Sequence, residues 1–342
     1  MPRVLICDGS HSYAARLRRT LEHDGDITVA AVCATAEEAI AALPRVRPDV
    51  VTMDVELPGM DGLAAIEEIM SRRPLPILVI SVDAGNSSRK AAAALAAGAL
   101  DAISKEDLDL DHPDGAAATA FRNRTRLLSH VQVIRHPRAR LRKAPVPQRP
   151  GRRASVIGMC GSTGGPYVLA RLLGDLPAEY PIPILVVQHI SAGFTEGLVH
   201  WLDQSVPLPV RIAADGAPLR PGAWIAPEGA HLKLAPTGRL RLDARTVAGH
   251  HRPSGDVLLE SIAEVAADKG VAVVLSGMGN DGARGAGAVR RSGGLAIAQD
   301  QESSAVFGMP KAAIDCGADL VLSPSEIAAR LIGLRYEPMV RT

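Results

Sequence analysis

The stretch SGMGNDGARGAG, residues 276–287, opens as G-x-G-x-x-G through Gly277, Gly279 and Gly282, and its reading decides what kind of α/β domain carries it. It follows the small, β-branched run VAVVLS (271–276) and precedes ARGAGAVRRSG, a short helical pattern closed by glycine. A further apolar run, GLAIAQD, ends in Asp300, near the distance at which a ribose-binding acid stands in a dinucleotide fold. Against a nucleotide stands Asp281, inside the loop itself, because a pyrophosphate needs bare N–H groups at a helix N-terminus and no competing anion. Two readings are open here: a phosphate cradle, or a loop that presents a carboxylate.

Working outward, the 342 residues are enough for two domains, each with its own core. Aromatics are only 3% of the chain, so those cores must be built from Val, Ile, Leu and Ala, which suits an α/β protein. A formal net charge of +1 gives no global field toward nucleic acid or an anionic membrane. Cys7, Cys33, Cys160 and Cys316 are scattered without metal-ligand spacing and read as small buried thiols. The N-terminus MPRVLICDGS runs straight into a strand pattern without a signal-peptide core. The Ala-rich KAAAALAAGALDAI is too short to span a bilayer, so a cytoplasmic protein with no membrane insertion is expected.

Within residues 1–129 five apolar runs, VLIC, TVAAVC, DVVTMD, PILVIS and ALDAIS, alternate with helical patterns, the rhythm of a doubly wound parallel sheet. Ligands of such sheets sit beyond the carboxyl ends of the strands, where this chain places Asp8, Asp54, Ser81 and Lys105. Residues 130–153 hold eight Lys or Arg, four prolines and no acid, and read as an extended interdomain linker. A nucleic-acid arm is the sharper alternative, but no aromatic is interleaved to stack on bases, and no nucleic-acid partner is expected. From 154 to 342 the alternation resumes with SVIGM, IPILVVQH, AVVLS and LAIAQ. The short segments VRIA, AWIAP, HLKLAP and RLRLD predict an antiparallel ribbon added to this second parallel sheet.

SVIGM opens into CGSTGGP (160–166), which sets Ser162 in a glycine-rich strand-to-helix turn that exposes its hydroxyl and aims backbone N–H groups beside it. It is not the G-x-S-x-G elbow, since Cys160 stands where the glycine would be. A serine nucleophile needs a base, and the next parallel strand, ILVVQH, ends with His189 at its carboxyl tip. Asp281 follows VAVVLS at the same end of the same sheet, so a nucleophile, a base and an orienting acid can converge there. His231, His250 and His251 lie elsewhere in this domain, and spacing alone does not choose among them; His231, after APEGA, is expected to fix a ribbon turn.

Six blocks then carry a resemblance: CGSTGGP, VVQHISAGFT, GAWIAPEGAHLKL, HRPSGDVLLES, LSGMGNDGARGAG and AQDQESSAVFGMPKAAI occur in order. Together they resemble the catalytic domain of the chemotaxis protein-glutamate methylesterases, and residues 1–129 resemble the response-regulator receiver that precedes it in that family. The resemblance implies a flavodoxin-like receiver, a Rossmann-like catalytic domain, and hydrolysis of glutamate methyl esters on methyl-accepting chemotaxis receptors, with deamidation of certain receptor glutamines. It assigns Ser162 as nucleophile, His189 as base and then acid, Asp281 as orienting carboxylate, and backbone N–H groups near Thr163 and Met278 to the oxyanion, with no cofactor for catalysis. It makes Asp54, in MDVELPGMDG, the phosphoryl acceptor, with Ser81 and Lys105 toward the phosphoryl oxygens, Asp8 and Asp54 toward Mg²⁺, and a chemotaxis histidine kinase as phosphodonor. In the family the unphosphorylated receiver covers the active site.

Departures from the family pattern fall in both domains. The receiver's usual second acid after the first strand is Gly9, its usual aromatic three residues before the lysine is Ala102, and Glu106 replaces the following proline, so weakened Mg²⁺ binding and weakened phosphorylation of Asp54 are expected. In the catalytic blocks the usual Gly-Ala before the serine is Cys160-Gly161, and the usual Pro-Ser-Val-Asp has Gly255 in place of valine. Two rival readings are an oxidoreductase, which leaves Ser162, His189 and Asp281 without a role, and a non-catalytic adaptor, which leaves the triad unexplained.

Overall fold

The computed structural model describes residues 1–82, 86–131, 133, 151–246 and 251–339, without the side chains of 86–88. The expected linker, 130–153, therefore falls for the most part outside the described residues, as does His250. Two compact units are formed, one of Met1–Arg140 with Ile190–Leu198, the other of Leu141–His189 with Val199–Thr342.

The N-terminal elements alternate as β1 (Arg3–Cys7), α1 (His11–Glu22), β2 (Thr28–Cys33), α2 (Ala36–Val46), β3 (Val50–Asp54), α3 (Gly62–Arg72), β4 (Ile77–Ser81), α4 (Asn86–Ala96), β5 (Asp101–Ser104) and α5 (Ala116–Leu128). Side-chain oxygens of Ser10, Thr35 and Asp61 accept the first free N–H groups of α1, α2 and α3, which is why those helices begin where they do. All strands pair in parallel, in the order β2-β1-β3-β4-β5. The chain reverses its direction of travel at β1 and β3, so the crevice at their carboxyl ends is the natural ligand site, and Asp8 and Asp54 stand there. As expected from the composition, the cores on the two faces of this sheet are largely aliphatic.

The C-terminal elements are β6 (Arg153–Ala154), β7 (Val156–Gly161), α6 (Gly165–Gly174), β8 (Ile184–Gln188), α7 (Thr195–Ser205), β9 (Val210–Ile212), β10 (Ala223–Ile225), β11 (His231–Leu234), β12 (Leu240–Asp243), α8 (Gly255–Ala266), β13 (Gly270–Val274), α9 (Ala283–Arg291), β14 (Leu295–Gln299), α10 (Met309–Asp315), β15 (Leu320–Leu322), α11 (Pro324–Ile332) and β16 (Arg335–Tyr336). Seven of the strands form one parallel sheet in the order β15-β14-β13-β7-β8-β10-β9. Here the reversal lies between β7 and β13, whose carboxyl ends lead to Ser162 and Asp281.

The ribbon expectation needs correcting by half. Only β11 and β12 pair antiparallel, as a separate two-stranded sheet, whereas β9 and β10 join the large sheet in parallel with β8. The connections explain the difference: residues 235–239 close a tight hairpin with Gly238 at φ 68°, while residues 213–222 are long enough to return the chain for parallel pairing. Among the described residues no helix is long and apolar enough to cross a membrane.

Candidate active site

Register brings the candidate nucleophile and base together. Gly161 of β7 pairs with Gln188 of β8, so Ser162 and His189 leave adjacent strands side by side. The His189 N–H donates to Gly161 O at 2.9 Å, and the Gln188 side-chain amide donates to the carbonyls of Ser162 (2.8 Å) and His189 (2.9 Å), fixing both tips. Ser162 N–H donates to Ser276 O, and Gly165 N–H to Ser162 O at 2.7 Å, so the serine turn is pinned on both sides. The turn itself needs Gly164, at φ 78°, because a Cβ there would stand 2.7 Å from Ala305 Cβ.

Asp281 is gripped by the N-terminus of α8. Its Oδ1 accepts from Ser254 Oγ (2.7 Å) and Asp256 N–H (3.0 Å), and its Oδ2 accepts from Gly255 N–H (2.6 Å). The same Oδ2 lies 2.8 Å from His189 Nε2, at ion-pair distance but off the line of an aligned hydrogen bond. Burial alone would raise this carboxyl; His189 and the N–H groups of Asp256 and Gly255 more than reverse that and hold it well below the usual range. Asp281 is thus a fixed anion beside an imidazole, with the positive end of a helix behind it. This closes the question of the glycine loop: its carboxylate is seated on the N-terminus of α8, and at the start of α9, where a phosphate would sit, Gly285 N–H already donates to Asp256 Oδ1 at 2.8 Å. Asp300, the other prop of the nucleotide reading, has its Oδ1 engaged by the N–H (2.8 Å) and Oγ (2.5 Å) of Ser303 in a local turn.

His189 Nδ1 and Ser162 Oγ have no hydrogen-bond partner among the described residues, which leaves one imidazole nitrogen and one hydroxyl for a reaction between them. The second face of the imidazole is covered by His251, stacked with ring centroids 4.2 Å apart and planes within 16°. Of the two candidate oxyanion donors, Met278 N–H has no hydrogen-bond partner among the described residues, and Thr163 is fixed through its carbonyl, which accepts from Ser276 Oγ at 2.8 Å.

Residues 157–331 match the family model described as CheB methylesterase, and residues 4–111 that of the response regulator receiver domain. The chain belongs to the CheB methylesterase family. Protein-glutamate methylesterase/protein-glutamine glutaminase 4 of Myxococcus xanthus is 38% identical to it over 96% of each chain, and the corresponding protein 3 of that organism is 42% identical over 92% of this chain and 88% of its own. The crystal structure of the Thermotoga maritima CheB methylesterase catalytic domain is 42% identical, with a TM-score of 0.51, and covers 52% of this chain and 97% of that one.

Cys160 and Gly255, both singled out in the sequence, are packed against each other. A Cβ on Gly255 would stand 2.7 Å from Cys160 Cβ and 3.2 Å from its Sγ, and a Cβ on Gly282 would stand 2.2 Å from that Sγ. The thiol of Cys160, fully buried and pushed up by that burial, takes the space beneath Asp281 that a valine at 255 would otherwise fill.

At the receiver end, Lys105 Nζ bridges Asp8 Oδ2 (2.9 Å) and Asp54 Oδ2 (2.6 Å) and lies 4.5 Å above the centroid of Tyr13. The remaining oxygens accept Ser10 N–H (2.8 Å) and Glu56 N–H (3.1 Å). Burial, with Asp8 adding to it, pushes Asp54 up against the pull of Lys105. Ser81, the last residue of β4, is fully buried, its Oγ 3.5 Å from Val82 O. Mg²⁺ asks for several oxygens in an octahedron; Gly9 supplies none from its side chain, both carboxylates are already engaged, and no group of three His, Cys, Asp or Glu suited to a metal occurs among the described residues. Asp8 and Asp54 remain to hold the ion, and both already pair with Lys105, which would weaken the site. Glu56, the available substitute, has its carboxylate 3.8 Å from Lys90.

Sequence reasoning singled out the triad and the receiver tips but missed Tyr13, Gln188 and Ser254. A signal existed for Ser254, a serine just ahead of the apolar run VLLES and hence an N-cap candidate, but nothing local says that this cap faces Asp281. His231 does not fix a ribbon turn: it begins β11, is buried, and accepts a hydrogen bond from Ser254 N–H.

Proposed function

We propose that Ser162, His189 and Asp281 are the triad with which this protein-glutamate methylesterase and protein-glutamine glutaminase acts on methyl-accepting chemotaxis receptors in the cytoplasm. In this reading residues 1–129 are the receiver, 130–153 the linker and 154–342 the catalytic domain. Ser162 Oγ attacks the γ-ester carbonyl while its proton passes to His189 Nδ1, and Asp281 steadies the imidazolium through the Nε2 proton. The tetrahedral oxyanion is taken by N–H groups near Thr163 and Met278. Its collapse breaks the C–O bond, methanol leaves with the proton from His189, and water, deprotonated by the same imidazole, frees the glutamate. A glutamine follows the same course with ammonia leaving.

The observation that carries this reading is the two-sided imidazole: Nε2 on a buried anion, Nδ1 unengaged, beside the tip that bears Ser162. The test is methanol release from methyl-labelled receptor membranes, run beside hydrolysis of an activated acetate ester. Release by the wild type is expected; ester hydrolysis without any release from receptors would remove the receptor as substrate.

For the receiver we propose that Lys105 neutralises Asp8 and Asp54 in place of Mg²⁺, so that a chemotaxis histidine kinase, the family's phosphodonor, labels Asp54 poorly. A Cβ at position 9 would stand 3.2 Å from Pro58 Cδ and 3.8 Å from Ala34 O, room enough for a side chain after a small shift. Gly9→Asp is therefore expected to raise Mg²⁺-dependent labelling of Asp54 by acetyl phosphate by about tenfold or more, an added charge-paired ligand contributing at least ~1.4 kcal/mol. Equal, stoichiometric labelling of wild type and variant would overturn this.

A further inference from the structure

We propose that His231 and Ser254 are positioning residues for Asp281, so that turnover depends on an imidazole that touches neither the nucleophile nor the base; this rests on the triad reading above. His231 is fully buried. Its Nδ1 is 3.1 Å from Ser254 N–H and its Nε2 3.1 Å from Thr246 O. An amide N–H can only donate and a carbonyl can only accept, so the ring is neutral, bare at Nδ1 and protonated at Nε2. Burial pushes this imidazole down, which keeps Nδ1 an acceptor. Thr246 is in turn held by Asp243, through its Oγ1 (2.6 Å) and its N–H (3.0 Å), so the chain of contacts is anchored in the β11–β12 hairpin.

Ser254 has one hydroxyl proton, and it goes to Asp281 Oδ1 at 2.7 Å, the shortest and charged acceptor. With Ser254, Gly255 and Asp256 all donating to the carboxylate, the first turn of α8 is the seat of Asp281. Through the Ser254 N–H, His231 sets the entry of that turn. Loss of the link lets the carboxylate rotate away from His189 and leaves a buried donor unpaired.

The two ring contacts can be separated. Asparagine at 231 sets a carbonyl oxygen near the place of Nδ1, whereas glutamine sets an amide nitrogen near that of Nε2. The expected result is that His231→Asn and Ser254→Thr keep kcat within about threefold of wild type, while His231→Gln and Ser254→Ala lose about 10- to 100-fold in kcat with KM within about twofold. Thermal unfolding of each variant separates this from loss of fold. His231→Gln active with His231→Asn impaired would mean that the ring serves Thr246 alone, and Ser254→Ala at wild-type kcat would equally overturn the proposal. Both methanol release and activated-ester hydrolysis are read. The ester reports on Asp281 even if receptors prove not to be the substrate, whereas an active Ser162→Ala would fault the triad itself.

Discussion

Ser162→Ala is expected to lower kcat for methanol release by roughly 10⁴- to 10⁶-fold with KM little changed, because the hydroxyl is the group that forms the covalent intermediate. Asp281→Asn is expected to cost about 10⁴-fold, by a different route. The carboxylate accepts from Ser254, Gly255 and Asp256 and faces His189 Nε2; an amide has one oxygen for all of these and must turn an N–H toward a donor or toward the imidazole. An N–H facing Nε2 selects the tautomer with its proton on Nδ1, the nitrogen that has to receive the serine proton. The double variant is expected to be no slower than Ser162→Ala, since the residues act as one unit. A loss under tenfold in either single variant, measured at saturating substrate, would contradict the assignment.

Stability should move with pH in a matching way. The folded Asp281 carboxyl lies below its unfolded value of about 3.9, so its contribution is present above that pH and lost as pH falls toward the folded value. Asp281→Asn should unfold at a lower temperature than wild type at pH 7, with the gap narrowing below about pH 4.

Gly255→Val is expected to destabilise the catalytic domain by about 1–3 kcal/mol, a fall of roughly 2–12 °C in Tm. The cause is the 2.7 Å approach of the new Cβ to Cys160 Cβ, between a helix start and a central strand that cannot move apart without disturbing Asp281. Activity should fall with it, because Gly255 N–H is one of the carboxylate's donors. Cys160→Gly in that background removes the obstructing thiol and is expected to restore both Tm and kcat, giving a favourable coupling of at least ~1 kcal/mol in a double-mutant cycle. Additive losses would mean that the two departures arose independently of each other's packing.

Alternation of short aliphatic runs with helical patterns determined, without any coordinates, two parallel α/β sheets, and the rule that ligands lie beyond strand ends put Ser162, Asp281, Asp8, Asp54 and Lys105 on the right tips, with His189 beside them. These features are local: a strand's period and its last residue are written in consecutive positions. The charge of Asp281 weighed against a phosphate loop but by itself left that reading open. Only the tertiary structure decided what holds that carboxylate, because its partners Ser254, Gly255, Asp256 and His189 come from other elements, 25 or more residues away along the chain. It also decided the pairing of β9 and β10, which depends on how a loop returns and not on the strands' own residues. The role of His231 belongs to the same class, since a buried imidazole's meaning lies in which donor and which acceptor face its two nitrogens, and neither is its neighbour in the chain.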